Sequence, residues 1–316
     1  MISRWRRMSR ILEVPENHPW WTSHAQMPTV TKVDDARWRI CLAGRDDQNR
    51  SNIIVADVDP TRDMAVLSVS ETRPLAFGGP GAVDRDGIGV TCAIHHEGQH
   101  LWVGGGMNVR DHEQYRITSF WLSSPDQGQS FVRLDAPPLL APGPENPLGA
   151  GIASILKVGD AWHMWFTSMR PWRSTHGGPS EPTYDIRHAV SDDLMHWSQD
   201  QDPAIALDAP REAGIVRPTV LQAAKGFEMW YSVRGPANPG APHSRDYRIG
   251  YATSSDAMHW QRHDKDMRFE NPPQDGDWDS DMQCYPNVVA HNGRRYLFYS
   301  GNGFGRSGIG YAVDAT

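Results

Sequence analysis

The sequence predicts an all-β fold, a five-bladed β-propeller with about four antiparallel strands in each blade. Three observations predict it: a pattern of strands recurs along the chain, its strands alternate apolar and polar residues, and no segment has a helical period with caps. The 316 residues include 29 Gly and 24 Pro, which are typical of many short strands joined by turns. A single blade cannot bury both of its faces, whereas a closed ring of blades can.

One strand-and-turn segment occurs twice with little change. Residues 184–197 and 247–260 share eight of 14 positions, including a Ser-x-Asp turn and a final His-Trp pair. Looser copies end at Phe131 and Val313. The Ser and Asp side chains are expected to hydrogen-bond the nearby backbone and fix a hairpin, and the Trp is expected to pack between blades.

A second repeated element precedes each aromatic strand. Short segments starting near residues 28, 92, 153, 218 and 286 each lead through a tight turn to a strand rich in aromatic residues. Five units of about 63 residues predict a single domain over 1–316, with blades starting near 24, 84, 145, 212 and 279. The last blade lacks a fourth strand after Val313, and a strand near residues 10–14 is expected to supply it.

The composition argues against several classes of function. A net charge of −7 does not suit a nucleic-acid-binding protein, which normally carries a basic face. No run of 18 apolar residues is present, so no membrane partner is expected, and the basic N-terminus lacks the apolar stretch of a secretory signal. Three cysteines are too few for a disulfide framework, which indicates a cytoplasmic protein. The oligomeric state stays open.

Two short motifs resemble sites of other folds. Residues 96–100, His-Glu-Gly-Gln-His, match the zinc-protease pattern H-E-x-x-H, which requires both histidines on one face of a helix. Here the motif lies between two predicted strands and coincides with a turn of the repeat, so a hairpin without zinc is predicted. The glycine cluster at residues 301–305 follows a strand but precedes no helix, which favours a wide turn over a nucleotide loop.

Polar residues recur just before the first strand of each predicted blade. Because the inner strands of a propeller converge on one channel, these side chains are expected to meet at its mouth. Carboxyl pairs perform glycoside chemistry, one as acid and the other as base or nucleophile. The predicted catalytic residues are His24, Asp84, Glu145, Glu212 and Asp281. The predicted substrate-binding residues are Gln26, Arg45, Asp46, Arg217, Asp279 and Tyr285. No cofactor or metal site is predicted, and a structural calcium ion in the channel stays an open alternative.

Several stretches make the chain resemble the five-bladed propeller glycosidases, that is, the β-fructosidase and arabinanase/xylosidase-like families. It resembles more closely the glycosidase-like proteins found among polysaccharide-biosynthesis genes. The stretches are HAQMPT at 24–29, GRDDQNRS at 44–51, RPTV at 217–220, YRIGYA at 247–252, WDSDM at 278–282 and YSGNGFG at 299–305. The resemblance implies a base or nucleophile in blade one, an Asp in blade two that tunes the acid, and an acidic Glu in blade three.

Asp84 and Glu145 match the second and third of these implied residues, but His24 and Gln26 stand where the first is expected. Asp281 or Glu212 could replace it, or His24 could act as the base, since its ordinary pKa lies near neutrality. The leading hypothesis is a glycoside hydrolase. The alternatives are a non-catalytic carbohydrate-binding propeller and a sugar-transferring enzyme, either phosphorylase or glycosyltransferase-like. Such an enzyme would use basic groups at the mouth, for which the candidates are Arg45, Arg50, Arg217 and Arg306.

Overall fold

The computed structural model describes residues 3–109, 114–174, 180–209 and 211–315. These ranges contain 21 strands, three short 3-10 turns and one helical turn at Asn302–Gly305, so the all-β prediction is confirmed. The first ten strands are β1 (Ser3–Leu12), β2 (Ser23–Lys32), β3 (Trp38–Arg45), β4 (Ser51–Asp59), β5 (Ala65–Val69), β6 (Gly87–His96), β7 (Gln99–Asn108), β8 (Arg116–Ser123), β9 (Val132–Arg133) and β10 (Ala150–Val158). The others are β11 (Ala161–Arg173), β12 (Glu181–Ser191), β13 (Ser198–Gln199), β14 (Gly214–Gln222), β15 (Phe227–Arg234), β16 (Arg248–Ser254), β17 (Gln261–Arg262), β18 (Met267–Phe269), β19 (Cys284–His291), β20 (Arg294–Ser300) and β21 (Ile309–Asp314).

The strands pair in five antiparallel sets. Four sets are consecutive along the chain: β2–β5, β6–β9, β10–β13 and β14–β17. The fifth consists of β19, β20, β21 and the N-terminal β1, with the short β18 on its outer edge. Neighbouring sets are joined by single parallel pairings, Ser51 with Gly87 and Tyr184 with Gly214.

The first strands of the sets contact one another in succession. We call β2, β6, β10, β14 and β19 the inner strands. Hydrogen bonds that involve a side chain join neighbouring inner strands. Thr29 Oγ1 of β2 donates to Val90 O of β6 (3.1 Å), and Val220 N of β14 donates to Ser154 Oγ of β10 (3.1 Å). Val288 N of β19 donates to Thr219 Oγ1 of β14 (3.4 Å), and Val30 N of β2 donates to Asn287 Oδ1 of β19 (2.9 Å). The backbone of Ile155 on β10 also bonds the buried thiol of Cys92 on β6. The last inner strand therefore contacts the first.

The repeated Ser-x-Asp turns adopt the predicted geometry. Asp193 Oδ1 accepts hydrogen bonds from two following backbone N–H groups, and Asp256 does the same 63 residues later. The indole of Trp260 then lies edge-on to Trp165 of the preceding set, with ring centroids 5.8 Å apart. Each turn thus fixes a hairpin locally and places an aromatic ring in the apolar core between two sets.

The H-E-x-x-H motif forms the predicted hairpin. His96 ends β6 and Gln99 begins β7, with Glu97 (φ 49°) and Gly98 (φ 77°) between them in the left-handed turn conformation. His95 pairs with His100 across the two strands. The glycine cluster is likewise a turn, because Gly303 and Phe304 have positive φ angles inside its single helical turn. In the described ranges, no helix is long and apolar enough to cross a membrane.

The N-terminal strand completes the last set as predicted, although it starts earlier. β1 begins at Ser3 and pairs antiparallel with β21. It starts this early because buried Ser3 and Trp5 alternate with exposed arginines, although the stretch is basic overall. Ser3 Oγ accepts hydrogen bonds from the indoles of Trp5 (2.7 Å) and Trp230 (2.9 Å). One hydroxyl therefore joins β1 of the last set to β15 of the set before it.

We expect Ser3→Ala to destabilise the protein markedly for so small a change. Removing the hydroxyl leaves two buried indole N–H groups without an acceptor, at a cost of about 1–3 kcal/mol each. Urea denaturation of this variant and of Ser9→Ala, which removes a hydroxyl from a solvent-exposed contact on the same strand, provides the comparison. Equal unfolding midpoints for the two variants would contradict the role of Ser3.

Candidate functional site

The inner strands share an irregularity at equivalent positions. Met27, Ile152, Arg217 and Tyr285 have positive φ angles between 51° and 62°, each where the pairing of its strand shifts register. A non-glycine residue in this conformation is strained, most of all a β-branched one such as Ile152. Repeated strain of this kind is typical of positions where a fold directs side chains towards a ligand.

Three of the predicted acids pair with an arginine on the outer edge of their own set. Asp84 bonds Arg133 of β9, Glu212 bonds Arg262 of β17 and Asp279 bonds Arg7 of β1. The bonds from arginine nitrogen to carboxylate oxygen include Arg133 Nε to Asp84 (2.9 Å), Arg262 Nη2 to Glu212 (2.6 Å) and Arg7 Nη2 to Asp279 (2.6 Å). Asn146 and Gln199 form a neutral version in the third set (2.9 Å).

These pairs tie the loops before β6, β10, β14 and β19 to the fourth strand of the same set. Asp84 and Asp279 are 1% and 0% exposed. The partners in the second, third and fourth sets lie 49, 53 and 50 residues apart in the chain. That recurring separation is a sequence signal for these contacts. In the described ranges, no hydrogen bond joins Asp84, Glu212 and Asp279 to one another.

The remaining predicted acids differ in their surroundings. Asp46 closes a turn: although burial opposes ionisation, hydrogen bonds from the backbone and guanidinium of Arg50 lower the pKa of Asp46. Glu145 is exposed, and only its carbonyl accepts a bond, from Arg170 (2.8 Å). Asp281 is exposed on the loop before β19, where its backbone N–H donates to Asn302 Oδ1 (2.8 Å).

Arg217 links three inner strands. Its guanidinium donates to the carbonyl of Pro28 (2.6 Å), to Thr29 Oγ1 (2.9 Å) and to the carbonyl of Thr91. The side chain is 1% exposed, and burial lowers its pKa to about 10. These contacts with β2 and β6 occupy Nη1 and Nη2, whereas the buried Nε has no hydrogen-bond partner in the described ranges. The predicted substrate-binding role of Arg217 stays a prediction.

Five polar or charged residues gather where β2, β3, β19 and the 301–308 turn adjoin. We call them the mouth cluster: His24, Gln26, Arg45, Tyr285 and Arg306. Arg45 Nε lies 3.4 Å from Gln26 Oε1. Burial lowers the pKa of His24 to about 4, and the nearby charges of Arg45 and Arg306 add to this effect. Four of the five were predicted to be site residues, and Arg306 was predicted only as a candidate basic group.

Sequence reasoning missed two features, an aromatic group at the mouth cluster and a largely buried acid on β12. An aromatic group surrounds Tyr285: Tyr247 lies 5.6 Å from it between ring centroids, and Phe304 lies 5.9 Å from Tyr247. Tyr184 and Tyr247 also join their hydroxyls across two sets. The 63-residue offset of these two tyrosines was visible in the sequence as a repeat. The other missed feature is Asp185, whose pKa burial raises against the opposing charges of Arg187 and Arg170.

The described residues do not fit a calcium ion at the centre of the inner strands. The carbonyl and hydroxyl oxygens there already accept from the Arg217 guanidinium, which is a cation itself. The five inner strands contain no Asp or Glu, the usual ligands of calcium. Within the described ranges, no group of three or more His, Cys, Asp or Glu side chains could hold a metal ion.

Comparison with solved structures defines the class of fold. The chain aligns over 99% of its length with a glycosyl hydrolase from Bacteroides ovatus (TM-score 0.70, 14% identity, 94% of that protein). It aligns over 94% of its length with a thermostable family-43 glycoside hydrolase (TM-score 0.62, 15% identity, 90% of that protein). It aligns over 93% of its length with the Bombyx mori GH32 beta-fructofuranosidase BmSUC1 (TM-score 0.55, 14% identity, 61% of that protein). The protein therefore has the β-propeller fold of glycosidase-like proteins, as the resemblance implied.

Its family is shown by two curated relatives from Mycobacterium tuberculosis. They are the uncharacterized proteins MT1551, from strain CDC 1551 / Oshkosh, and Rv1502, from strain ATCC 25618 / H37Rv. Each is 30% identical over 309 residues, which cover 98% of this chain and 98% of the relative. The chain belongs to the same family as these two mycobacterial proteins. No protein-family model matches it.

We expect Asp84→Asn to reduce stability because the amide cannot balance the charge of Arg133. Removing one partner of a buried ion pair costs about 3–5 kcal/mol, and the lower value applies because the Arg133 side chain is 36% exposed. Glu13→Gln is the matched control, since it breaks the exposed pair with Arg10 and should change the free energy of unfolding by less than about 1 kcal/mol. Urea titration measures both, and two equal small changes would contradict the structural role of Asp84.

We expect acid to weaken the fold partly through His24. Its folded-state pKa of about 4 lies below the unfolded value of about 6.5, so only the unfolded chain takes up this proton between those pH values. Stability should therefore fall as the pH drops from about 6.5 to about 4, and less steeply in His24→Gln. Thermal melts across this range test the prediction, and identical slopes for the variant and the native protein would refute it.

Proposed function

We propose that this protein is carbohydrate-active, binds a sugar at the mouth cluster and acts on a glycosidic bond, with hydrolysis as the leading reaction. The observation that supports this most directly is the position of the cluster. His24, Arg45 and Tyr285 lie on strands or strand ends at the meeting point of the first and last sets, on a fold shared with glycoside hydrolases. Ligand pockets commonly form where such elements converge.

The proposal includes a closed five-bladed propeller that forms a single domain. The five antiparallel sets would be its blades, with the loops near 24, 84, 145, 212 and 279 leading into them. Two observations support closure: each inner strand contacts the next, and β19 contacts β2 through Asn287. The pairing of β1 with β21 supplies the fourth strand of the last blade.

The residues suggest how the reaction would divide between a base and an acid. The depressed pKa leaves His24 neutral at physiological pH, so its imidazole could accept a proton from an attacking water. Asp281 is the leading candidate for the acid, because it is exposed and Asn302 holds its loop against the same 301–308 turn that carries Arg306. Glu145 is a second exposed carboxyl group. Catalytic roles for Asp84 and Glu212 stay predictions and would require each acid to leave its arginine.

Non-catalytic sugar binding is the second candidate, and one observation favours it. None of the five inner strands contains an Asp or a Glu, so any reacting carboxyl group must come from a loop or a later strand. Sugar transfer would need free basic groups. Arg50 is paired with Asp46 and Arg217 with backbone oxygens, which leaves Arg45 and Arg306 of the four candidates.

The experiment measures the release of reducing sugar from a panel of oligosaccharides, together with binding to the same panel. We expect Asp281→Asn and His24→Gln to lower turnover by about 100-fold or more, since each removes a proton-transfer group. Because Asp281 is exposed, the Asp281→Asn variant should keep the thermal stability of the native protein. Asp208→Asn, in a solvent-exposed ion pair, is the control and should retain full activity.

The outcomes separate the two candidates. Cleavage that depends on Asp281 and His24 would support hydrolysis. Binding without cleavage, weakened by Tyr285→Ala, would refute hydrolysis and support the sugar-binding alternative. A panel in which no oligosaccharide binds or is cleaved would refute both.

A further inference from the structure

Most arginines that are largely buried in this fold already have a carboxylate partner. Arg39 pairs with Asp57, and both side chains are less than a tenth exposed. Six further pairs join Arg7 to Asp279, Arg50 to Asp46, Arg133 to Asp84, Arg234 to Glu181, Arg262 to Glu212 and Arg295 to Glu228. The fold thus compensates most of its buried guanidinium groups with a carboxylate. Arg217 is an exception, since its partners are carbonyl and hydroxyl oxygens.

The two arginines of the mouth cluster also have no carboxylate partner in the described ranges. Arg45 is partly buried, yet its guanidinium contacts only neutral groups, Gln26 Oε1 (3.4 Å) and Asn49 Oδ1 (2.9 Å). Arg306 is exposed and forms no ion pair with any residue of the described ranges. Burial lowers the pKa of Arg45, Tyr285 opposes this effect, and the charge of Arg306 lowers it further. The two guanidinium groups therefore lie close enough to repel each other.

The backbone holds Arg306 near β2. Gly305 has φ +86°, and a Cβ atom there would lie 2.2 Å from the carbonyl oxygen of Ala25. Only glycine allows the turn to approach the strand so closely. Because Arg306 follows Gly305 directly, this contact places the backbone of Arg306 close to that of Ala25, and the charge of Arg306 acts on the neighbouring His24.

His24 places a neutral imidazole beside the two charges. The side chain is 3% exposed, and its backbone is strained at φ +59°. Its Nδ1 lies 2.9 Å from Ser23 Oγ, whereas Nε2 has no hydrogen-bond partner in the described ranges. When Nδ1 donates its proton to the Ser23 hydroxyl, Nε2 keeps the lone pair that the base role requires.

We propose that the mouth cluster binds an anionic group of the sugar ligand between Arg45 and Arg306, beside the neutral imidazole of His24. The ligand would be an acidic sugar, carrying either a carboxylate or a phosphate group. Paired guanidinium groups suit such oxyanions because their N–H donors match two oxygens at once. An anion would also relieve the repulsion between the two arginines. This inference rests on the proposed function, since it assumes that the ligand of the cluster is a sugar.

The first experiment uses inorganic phosphate as a probe, independent of any sugar. The imidazole of His24 is followed by NMR while the pH is varied, with and without phosphate. In the native protein, bound phosphate should offset the arginine charges and raise the apparent pKa of His24. The shift should vanish in Arg306→Gln, whose exposed side chain can be replaced without disturbing the core. Arg294→Gln, on the exposed β19–β20 hairpin, is the control and should preserve the shift.

The second experiment uses a glycan array with matched neutral, uronic acid and phosphorylated sugars. We expect the native protein to prefer acidic sugars, and Arg45→Gln and Arg306→Gln each to weaken that binding by about 10-fold to 100-fold, while Arg294→Gln does not. The preferred acidic class decides between carboxylate and phosphate as the source of the charge. Each variant is used only if its melting curve matches that of the native protein.

The failures of the two proposals are distinguishable. If neutral and acidic sugars bind equally and Tyr285→Ala weakens both, the anionic group is refuted while the sugar site stands. If phosphate leaves His24 unchanged and acidic glycans bind the Arg45→Gln and Arg306→Gln variants normally, the anion site is likewise refuted. If no glycan binds and phosphate has no effect, both the inference and the proposed function fail.

Discussion

The pairing of β1 with β21 brings the two ends of the chain into one sheet, and the geometry of the site depends on it. β21 would otherwise be an open edge, and the last set would lack a strand to cover Trp230 and Tyr299. With β1 in place, Arg7 reaches the buried carboxylate of Asp279 and holds the loop that leads to β19. The mouth cluster lies where this last set meets the first. Its position therefore depends on contacts between residues almost 300 positions apart in the chain.

Charged residues serve two purposes in this fold, and their partners distinguish them. Acids such as Asp84 and Glu212 are neutralised by an arginine of their own set, which stabilises the path of a loop but leaves no free charge. At the mouth cluster the balance is reversed. Arg45 and Arg306 face a histidine and a tyrosine, so positive potential accumulates at the site proposed for the ligand. A site of this kind differs from the ring of carboxylates that two-carboxyl glycoside chemistry would lead one to expect.

The fold was largely predictable because its determinants are local and repeated. Alternation of apolar and polar residues predicts each strand, and the Ser-x-Asp turns predict the hairpins that Asp193 and Asp256 form. The same repeat showed that His96 and His100 lie on a hairpin and not on a helix. The start of β1 was missed by seven residues because the charges of the arginines masked the buried face formed by Ser3 and Trp5.

The amino-acid sequence alone determined an all-β, glycosidase-like propeller, because its repeat units can be aligned from short segments. The same alignment predicted His24, Gln26, Arg45 and Tyr285 as site residues. Only the three-dimensional fold decided which charged side chains are paired with a partner of opposite charge and which are not. Asp84, Glu212 and Asp279 looked alike in the sequence, yet each has an arginine partner that lies far away in the chain. Pairing at such separations depends on how the strands of a whole set are arranged, and periodicity within a short segment carries no record of that arrangement.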